Sequence, residues 1–301
     1  MKLVSYNIQY GFGTDGTYDL ERIAQVVDGA DVIALQEVER YWSRTGFDDQ
    51  PKILSELLPE YYYVYGPAFD MDASTVNAGR IINRRRQFGT MILSRLPIVW
   101  SRLHPLPMRR TIDPLNTQNA ALECMIRTPY GPIRFFSIHL AHIGVGERLE
   151  QIDLLLDRHH RSPFEGGPWS GTDDEVQRNW TEGKAEPECP FAAIWMGDFN
   201  SEPGSAEYRR ITGETPYHAR AAYYHGFADA AICAGLPAGA LHTHEKLIGG
   251  TMQKRQLDHC FVGGMLTSRV RSVQVDNTQI ASDHHPVFIA IDLETQPLAH
   301  G

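Results

Sequence analysis

Short apolar runs that end in a polar residue recur along this chain. "KLVSYNI" reads as a β-strand ending at Asn7. "YDLERIAQVVDGAD" then predicts a helix, with Asp19 as its N-cap and Leu20, Ile23, Ala24 and Val27 on one face. "VIALQEV" is a short apolar strand running into charge, and "TMILSRLPIVW" is a strand turned by Pro97. "ALECMIRTPYGPIRFFSIHLA" predicts a hairpin, two β-rich runs about a Pro-Tyr-Gly-Pro turn. "GERLEQIDLLLDRHH" places Leu149, Ile152, Leu155 and Leu156 at helical spacing, and "FAAIWMGDFN", "QLDHCFVGG" and "PVFIAIDLE" supply three further strands. The stretch 161–190 is rich in Gly, Pro and charge and lacks periodicity, which predicts a surface insertion, either a lid or decoration. Hairpins mixed with strand–helix units favour an α+β or layered α/β architecture with mixed sheets over a strict doubly wound fold.

Composition adds bounds rather than detail. A chain of 301 residues can bury a substantial core, and 42% apolar with 22% charged residues is ordinary for a soluble globular protein. There is no run of 18 apolar residues and no leader-like segment after Met1, so the expectation is a cytoplasmic protein with no membrane insertion. Cys124, Cys189, Cys233 and Cys260 form no C-x-x-C pair, which speaks for reduced thiols over disulfides or structural zinc. The formal charge of −9 argues against a protein that clings to duplex DNA through bulk positive charge. Yet residues 73–112 contain eight arginines and no acid. Within them Arg84, Arg85 and Arg86 abut an apolar strand, making them candidates for a phosphate-facing loop, the alternative being a solvated basic face.

The chemistry collects at strand ends. Asn7, Glu37, His139, the pair Asp198 and Asn200, Asp258, and the segment Asp283–His284–His285 each close or precede an apolar run. Any one of these is more simply a loop-capping residue; six together point to a site held on a rigid scaffold. Glu37, Asp283 and the amide oxygen of Asn7 are hard donors suited to Mg²⁺ or Mn²⁺. Imidazoles beside such an ion can shuttle protons or stabilise a phosphoryl transition state.

The motifs "SYNIQYG", "ALQEVE", "SIHLAH", "WMGDFNSEPGS", "QLDH" and "SDHHPV" occur in the order expected of the endonuclease/exonuclease/phosphatase superfamily, which the chain resembles from Asn7 to Pro286. The resemblance implies a four-layer sandwich, two packed mixed β-sheets flanked by α-helices, as one domain over residues 1–301. It implies that Glu37 is the principal metal-ligating carboxylate, with Asn7 and Asp283 close to the ion. Asp198 is similar to the acid that orients or deprotonates the attacking water, and Asn200 to the amide that contacts the scissile phosphate. Asp258 resembles the buried acid that orients the catalytic histidine, matched here by His284. His139 is similar to the second imidazole of deoxyribonuclease-like and sphingomyelinase-like members; abasic-site enzymes tend to carry a tyrosine there, so an abasic-site specialist is not expected.

The activity implied is a divalent-metal-dependent phosphoesterase cleaving phosphodiesters, with nucleic acid among its possible substrates. A phosphomonoesterase for a small phosphorylated metabolite and a non-catalytic binding module are the alternatives. A zinc hydrolase is disfavoured: "HLAH" (His139, His142) and "HTH" (His242, His244) do not reproduce a helical HExxH, so His142, His242 and His244 read as loop or substrate-side residues. At "SDHHPV", regular strand alternation would pair Asp283 with His285, whereas the resemblance assigns the proton chemistry to His284.

Overall fold

A computed structural model describes residues 1–173, 179–213 and 223–294. The chain opens with β1 (Lys2–Asn7), α1 (Leu20–Val27), β2 (Val32–Arg40), α2 (Gln50–Leu57) and β3 (Tyr62–Asp72). A small hairpin, β4 (Thr75–Asn77) and β5 (Arg80–Ile82), precedes β6 (Arg85–Ser94) and β7 (Ile98–Pro105). Then come β8 (Ala120–Thr128), β9 (Gly131–His139), α3 (Val145–Glu165), β10 (Ala193–Asp198) and α4 (Ala206–Thr212). The last part holds β11 (Phe227–Asp229), α5 (Ala230–Cys233), β12 (His244–Ile248), β13 (Thr251–Arg255), β14 (Asp258–Gly263), β15 (Val270–Val275) and β16 (Val287–Ile291).

Two six-stranded sheets carry the fold, in the orders β15-β16-β1-β2-β6-β3 and β11-β14-β10-β9-β8-β7. Each has a parallel pair at its centre, β1 with β2 and β9 with β10, among antiparallel neighbours. Period-two alternation sorts the apolar side chains into layers. Leu3, Ala34, Ile92, Cys124, Phe135 and Ile194 meet between the sheets. Their neighbours Val4, Ile33 and Leu35 face outward onto Ile23, Val27 and Leu54 of α1 and α2. On the other side, Phe136, Ile138 and Trp195 pack on Ile152 and Leu155 of α3 and Tyr208 and Ile211 of α4. The four-layer sandwich of mixed sheets is therefore present as expected.

Asp19 caps α1 as its sequence predicts, its carboxylate accepting from Arg22 N–H. The segment around Pro97 departs from expectation. Rather than one turned strand it is two: β6 ends at Ser94 in the first sheet and β7 begins at Ile98 in the second. Proline removes a ladder donor, so the chain leaves one sheet there and crosses to the other. The expected insertion at 161–190 also starts later, because α3 runs through Pro163 to Glu165. Its described residues lie against the second sheet: Trp100 Nε1 donates to the Glu188 carbonyl at 2.9 Å, and Arg134 Nε donates to that of Pro190 at 2.6 Å. Residues 174–178 of that stretch lie outside the described residues. Cys124, Cys189 and Cys260 carry free thiols, and among the described residues no helix is long and apolar enough to cross a membrane.

Candidate active site

The topology brings the polar strand ends to one rim. Asn7 closes β1 and Glu37 lies late in its parallel partner β2; His139 and Asp198 close the parallel pair β9 and β10, where they sit in register. The two pairs pack face to face, tied beneath the rim by buried Ser137, which donates to the Leu35 carbonyl and accepts from Gln36 Nε2, both at 2.9 Å. Asp258 opens β14 opposite Asp198 on β10. The loop before β16 supplies Asp283 and His284 beside β1.

Two backbone devices aim these groups. Leu35 and Val38 both face α1 and α2, although strict alternation would put them on opposite faces. The extra residue is Glu37, held at φ 61° where the register of β2 on β6 shifts between Gln36 and Val38. This bulge turns a carboxylate that would have entered the helix-side core onto the rim. In "GDFN", Gly197 lies so close to β9 that a Cβ would stand 1.9 Å from the Ile138 carbonyl oxygen. Asn200 adopts φ 49° and its N–H donates to Asp198 Oδ1 at 2.8 Å, a conformation Asn tolerates better than most residues. Gly197→Ala must therefore push the two central strands apart. The expected cost is about 3 kcal/mol, the upper end for overpacking, read as a lower denaturant midpoint; an unchanged midpoint would refute the close approach.

At the centre, His284 Nδ1 and Asp258 Oδ2 are 2.7 Å apart, and His284 Nε2 points to Asp198 Oδ2 at 3.7 Å. Burial disfavours the charged imidazole, but the Asp258 and Asp198 carboxylates outweigh it and push its pKa up to about 10. The two acids thus favour the protonated form of the His284 ring. His139 Nε2 lies 3.8 Å from both Glu37 Oε1 and Asp198 Oδ2, and burial holds its pKa below the ordinary value. Burial also pushes the Glu37 carboxyl up to about 7, only partly offset by the hydrogen bond from Asn7. Asn7 donates from Nδ2 to Glu37 Oε1 and to Asp198 Oδ2, both at 3.1 Å, while its Oδ1 accepts from Gln9 N–H. The amide nitrogen, rather than the oxygen expected from sequence, faces the acids.

A cleft of about 460 Å³ opens above these groups. Glu37, His139, Asp198, Asn200 and His284 line it, facing an aromatic wall that includes Tyr10, Trp42 and Phe88. Arg44, Lys246 and Arg255 bring positive charge. Arg44 lies over the rings of Tyr10 and Trp42 at 4.0 and 4.4 Å and is paired with Glu39 at 2.5 Å. Arg255 is paired with Glu202 at 2.7 Å.

Over residues 4–284 the chain matches the model of the endonuclease/exonuclease/phosphatase family. The chain belongs to that family. Its members are hydrolases of phosphate esters that depend on divalent metal ions. A comparison with curated proteins finds no match. Solved structures share the fold at low identity. An endonuclease/exonuclease/phosphatase from Beutenbergia cavernae DSM 12333 is 20% identical, with TM-score 0.63, over 99% of this chain and 73% of that one. A mannosyl-6-phosphatase from Bacteroides thetaiotaomicron VPI-5482 is 18% identical, with TM-score 0.60, over 97% and 99% of the two chains. TDP2 of D. rerio, complexed with a single strand DNA product, is 14% identical, with TM-score 0.58, over 96% and 97%.

For this family member the structure gathers Asn7, Glu37, His139, Asp198, Asn200, Asp258 and His284 around the cleft floor, with Asp283 near enough to raise the Glu37 pKa. It does not bring Arg84, Arg85 and Arg86 to the lining. Arg85 is paired with Asp70, Arg84 lies 5.4 Å over the Tyr41 ring, and Arg86 lies 5.7 Å over that of Trp42. No described residue of 161–190 lines the cleft. His142 and His244 do line it. Sequence reading overlooked Arg44, Lys246 and Arg255; each sits in a segment whose place beside the site comes only from long-range packing.

A hard divalent cation fits this donor set. Glu37 and Asp283 offer carboxylate oxygens, and Glu37 is held as a carboxyl whose ionisation burial opposes, a penalty a cation would relieve.

Proposed function

We propose that this protein is a divalent-metal-dependent phosphodiesterase that cleaves by attack of an activated water. Glu37 and Asp283 would hold Mg²⁺ or Mn²⁺, with Asn7 fixing the Glu37 and Asp198 carboxylates through its amide nitrogen. Bound there, the cation supplies Lewis-acid polarisation of a phosphoryl oxygen. Asp198, beside His284 and held by the Asn7 amide, would orient the water and take its proton. His284, charged between Asp198 and Asp258, holds a proton toward the scissile phosphate, and Asp258 fixes its ring through Nδ1. His139 and Asn200 complete the polar floor, and the aromatic wall offers a planar or apolar substituent a surface.

The observation that carries the preference for a diester is charge. Two of the cleft's cations are already matched, Arg44 by Glu39 and Arg255 by Glu202. A monoanionic diester suits that balance better than a dianionic monoester. Nucleic acid is one substrate with this chemistry.

A substrate panel with and without EDTA tests the reading. It contains single-stranded and duplex DNA, RNA, an aryl diester, an aryl monoester, inositol phosphates and phospholipid head groups. The expected result is diester turnover that EDTA abolishes and Mg²⁺ or Mn²⁺ restores. Preferential turnover of monoesters would overturn the diester assignment, and turnover indifferent to EDTA would overturn the metal.

A further inference from the structure

Behind the catalytic histidine lies a second group of metal-ligating side chains. The segment Thr243–Glu245 runs antiparallel to Asp283–His285: His285 N–H donates to the Thr243 carbonyl at 2.6 Å, and His244 bridges His284. Alternation sends His244 and His284 toward the cleft and leaves Glu245 and His285 on the opposite face. His242, from the loop before β12, closes the group, its ring 5.9 Å from that of His285 in a T-shaped contact. Glu245 Oε1 lies 3.3 Å from His242 Nε2 and 3.9 Å from His285 Nε2, and one ligand atom from each residue falls within 4.8 Å of the others. Bonds of about 2.0–2.1 Å in a tetrahedron set ligand atoms about 3.3 Å apart, close to this spacing.

The second observation is an unanswered polar group. His285 is only 7% exposed, yet among the described residues neither of its ring nitrogens has a hydrogen-bond partner, and neither has Nε2 of His242. Buried imidazole nitrogens are ordinarily satisfied, so their exposure to one another and to a carboxylate calls for a ligand. Two imidazoles and one carboxylate make a borderline donor set that suits Zn²⁺ with an added water better than Mg²⁺. Lys254 Nζ, 3.0 Å from Glu245 Oε1, is the local competitor for that carboxylate, and its side chain is 57% exposed and free to swing away.

We propose that His242, Glu245 and His285 form a second metal site, selective for Zn²⁺, that clips the β12–β13 hairpin to the loop carrying His284. That hairpin brings Lys246 and Arg255 to the cleft, so the clip would brace one cleft wall. Absence of a cysteine pair hid the site from sequence, and His242 becomes a ligand rather than a substrate-side residue.

The test measures metal directly. The full chain carrying Glu37→Gln, which disables the carboxylate of the catalytic floor, is stripped with chelator and titrated with Zn²⁺ by calorimetry. Co²⁺ in place of Zn²⁺ reports tetrahedral nitrogen and oxygen ligation by its absorption spectrum. One equivalent of Zn²⁺ is expected to bind in excess Mg²⁺. Loss of outer-shell partners weakens metal sites by about 10–100-fold, so adding His242→Ala or Glu245→Gln, each removing a direct ligand, should cost at least about 100-fold. Lys254→Ala should bind at least as tightly as its parent. Glu245 is partly exposed, so Glu245→Gln is expected to fold, and circular dichroism verifies it. Absence of Zn²⁺ binding, or binding unaffected by both ligand substitutions, overturns the proposal.

Discussion

Glu37→Gln is expected to lose metal-dependent turnover by on the order of 10³-fold, the several kcal/mol that a bound cation contributes to transition-state charge. The same variant should be no less stable than its parent when both are metal-free, and more stable above neutral pH. The reason is the raised pKa. Burial lifts the Glu37 carboxyl from 4.5 to about 7 in the folded chain. Below 4.5 the group is protonated in folded and unfolded states alike and contributes no penalty. Between 4.5 and 7 the unfolded chain ionises this group while burial keeps it protonated in the folded chain, so stability falls across that window and levels off above it. Glutamine removes that penalty and keeps an oxygen for the Asn7 amide. The stability gain should therefore be absent near pH 4, grow between 4.5 and 7, and level off above. Denaturant midpoints of EDTA-treated protein across this range measure it. Full turnover of the variant in excess Mg²⁺ would remove Glu37 from the metal site; a midpoint difference independent of pH would remove the burial argument.

His284→Ala is expected to lose about 10²–10⁴-fold in kcat, the usual contribution of a positioned acid–base group. His285→Ala should lose far less, because its ring faces Glu245 and His242 rather than the cleft. The alanine at 284 also strands Asp258 in the interior, and an unpaired buried charge costs about 3–5 kcal/mol. His284→Gln separates the two effects, since its amide can still donate toward Asp258. Turnover should stay low in His284→Gln while much of the stability returns. If His285→Ala proved the more damaging for kcat, the assignment of the proton to His284 would fail.

Much of this site was legible because strand ends are legible. An apolar run that stops at Asn7, His139 or Asp198 announces a strand terminus in the local pattern alone, and the family motifs supplied their order. Glu37 shows where local pattern runs out. Alternation in "VIALQEV" gives no sign of a bulge, since a bulge is set by pairing with β6, fifty residues on in the chain. "SDHHPV" failed in the same way under strict alternation, which would have joined Asp283 to His285; the loop geometry instead hands His284 to Asp258. The arginine triplet shows a different gap. Charge density is visible in sequence, but its partners are not, and Asp70, Tyr41 and Trp42 already engage those side chains.

By itself, then, the sequence determined the layers, the strand ends and the chemical types that meet on the rim, because hydrophobic period and residue chemistry are local properties. The tertiary structure decided what depends on distant chain segments sharing a volume. It aimed Glu37 through a bulge, set His284 between two buried acids, placed Arg44, Lys246 and Arg255 on the cleft, and brought His242 and Glu245 to His285. Burial and charge pairing are collective quantities, and they exist only once the sheets have closed.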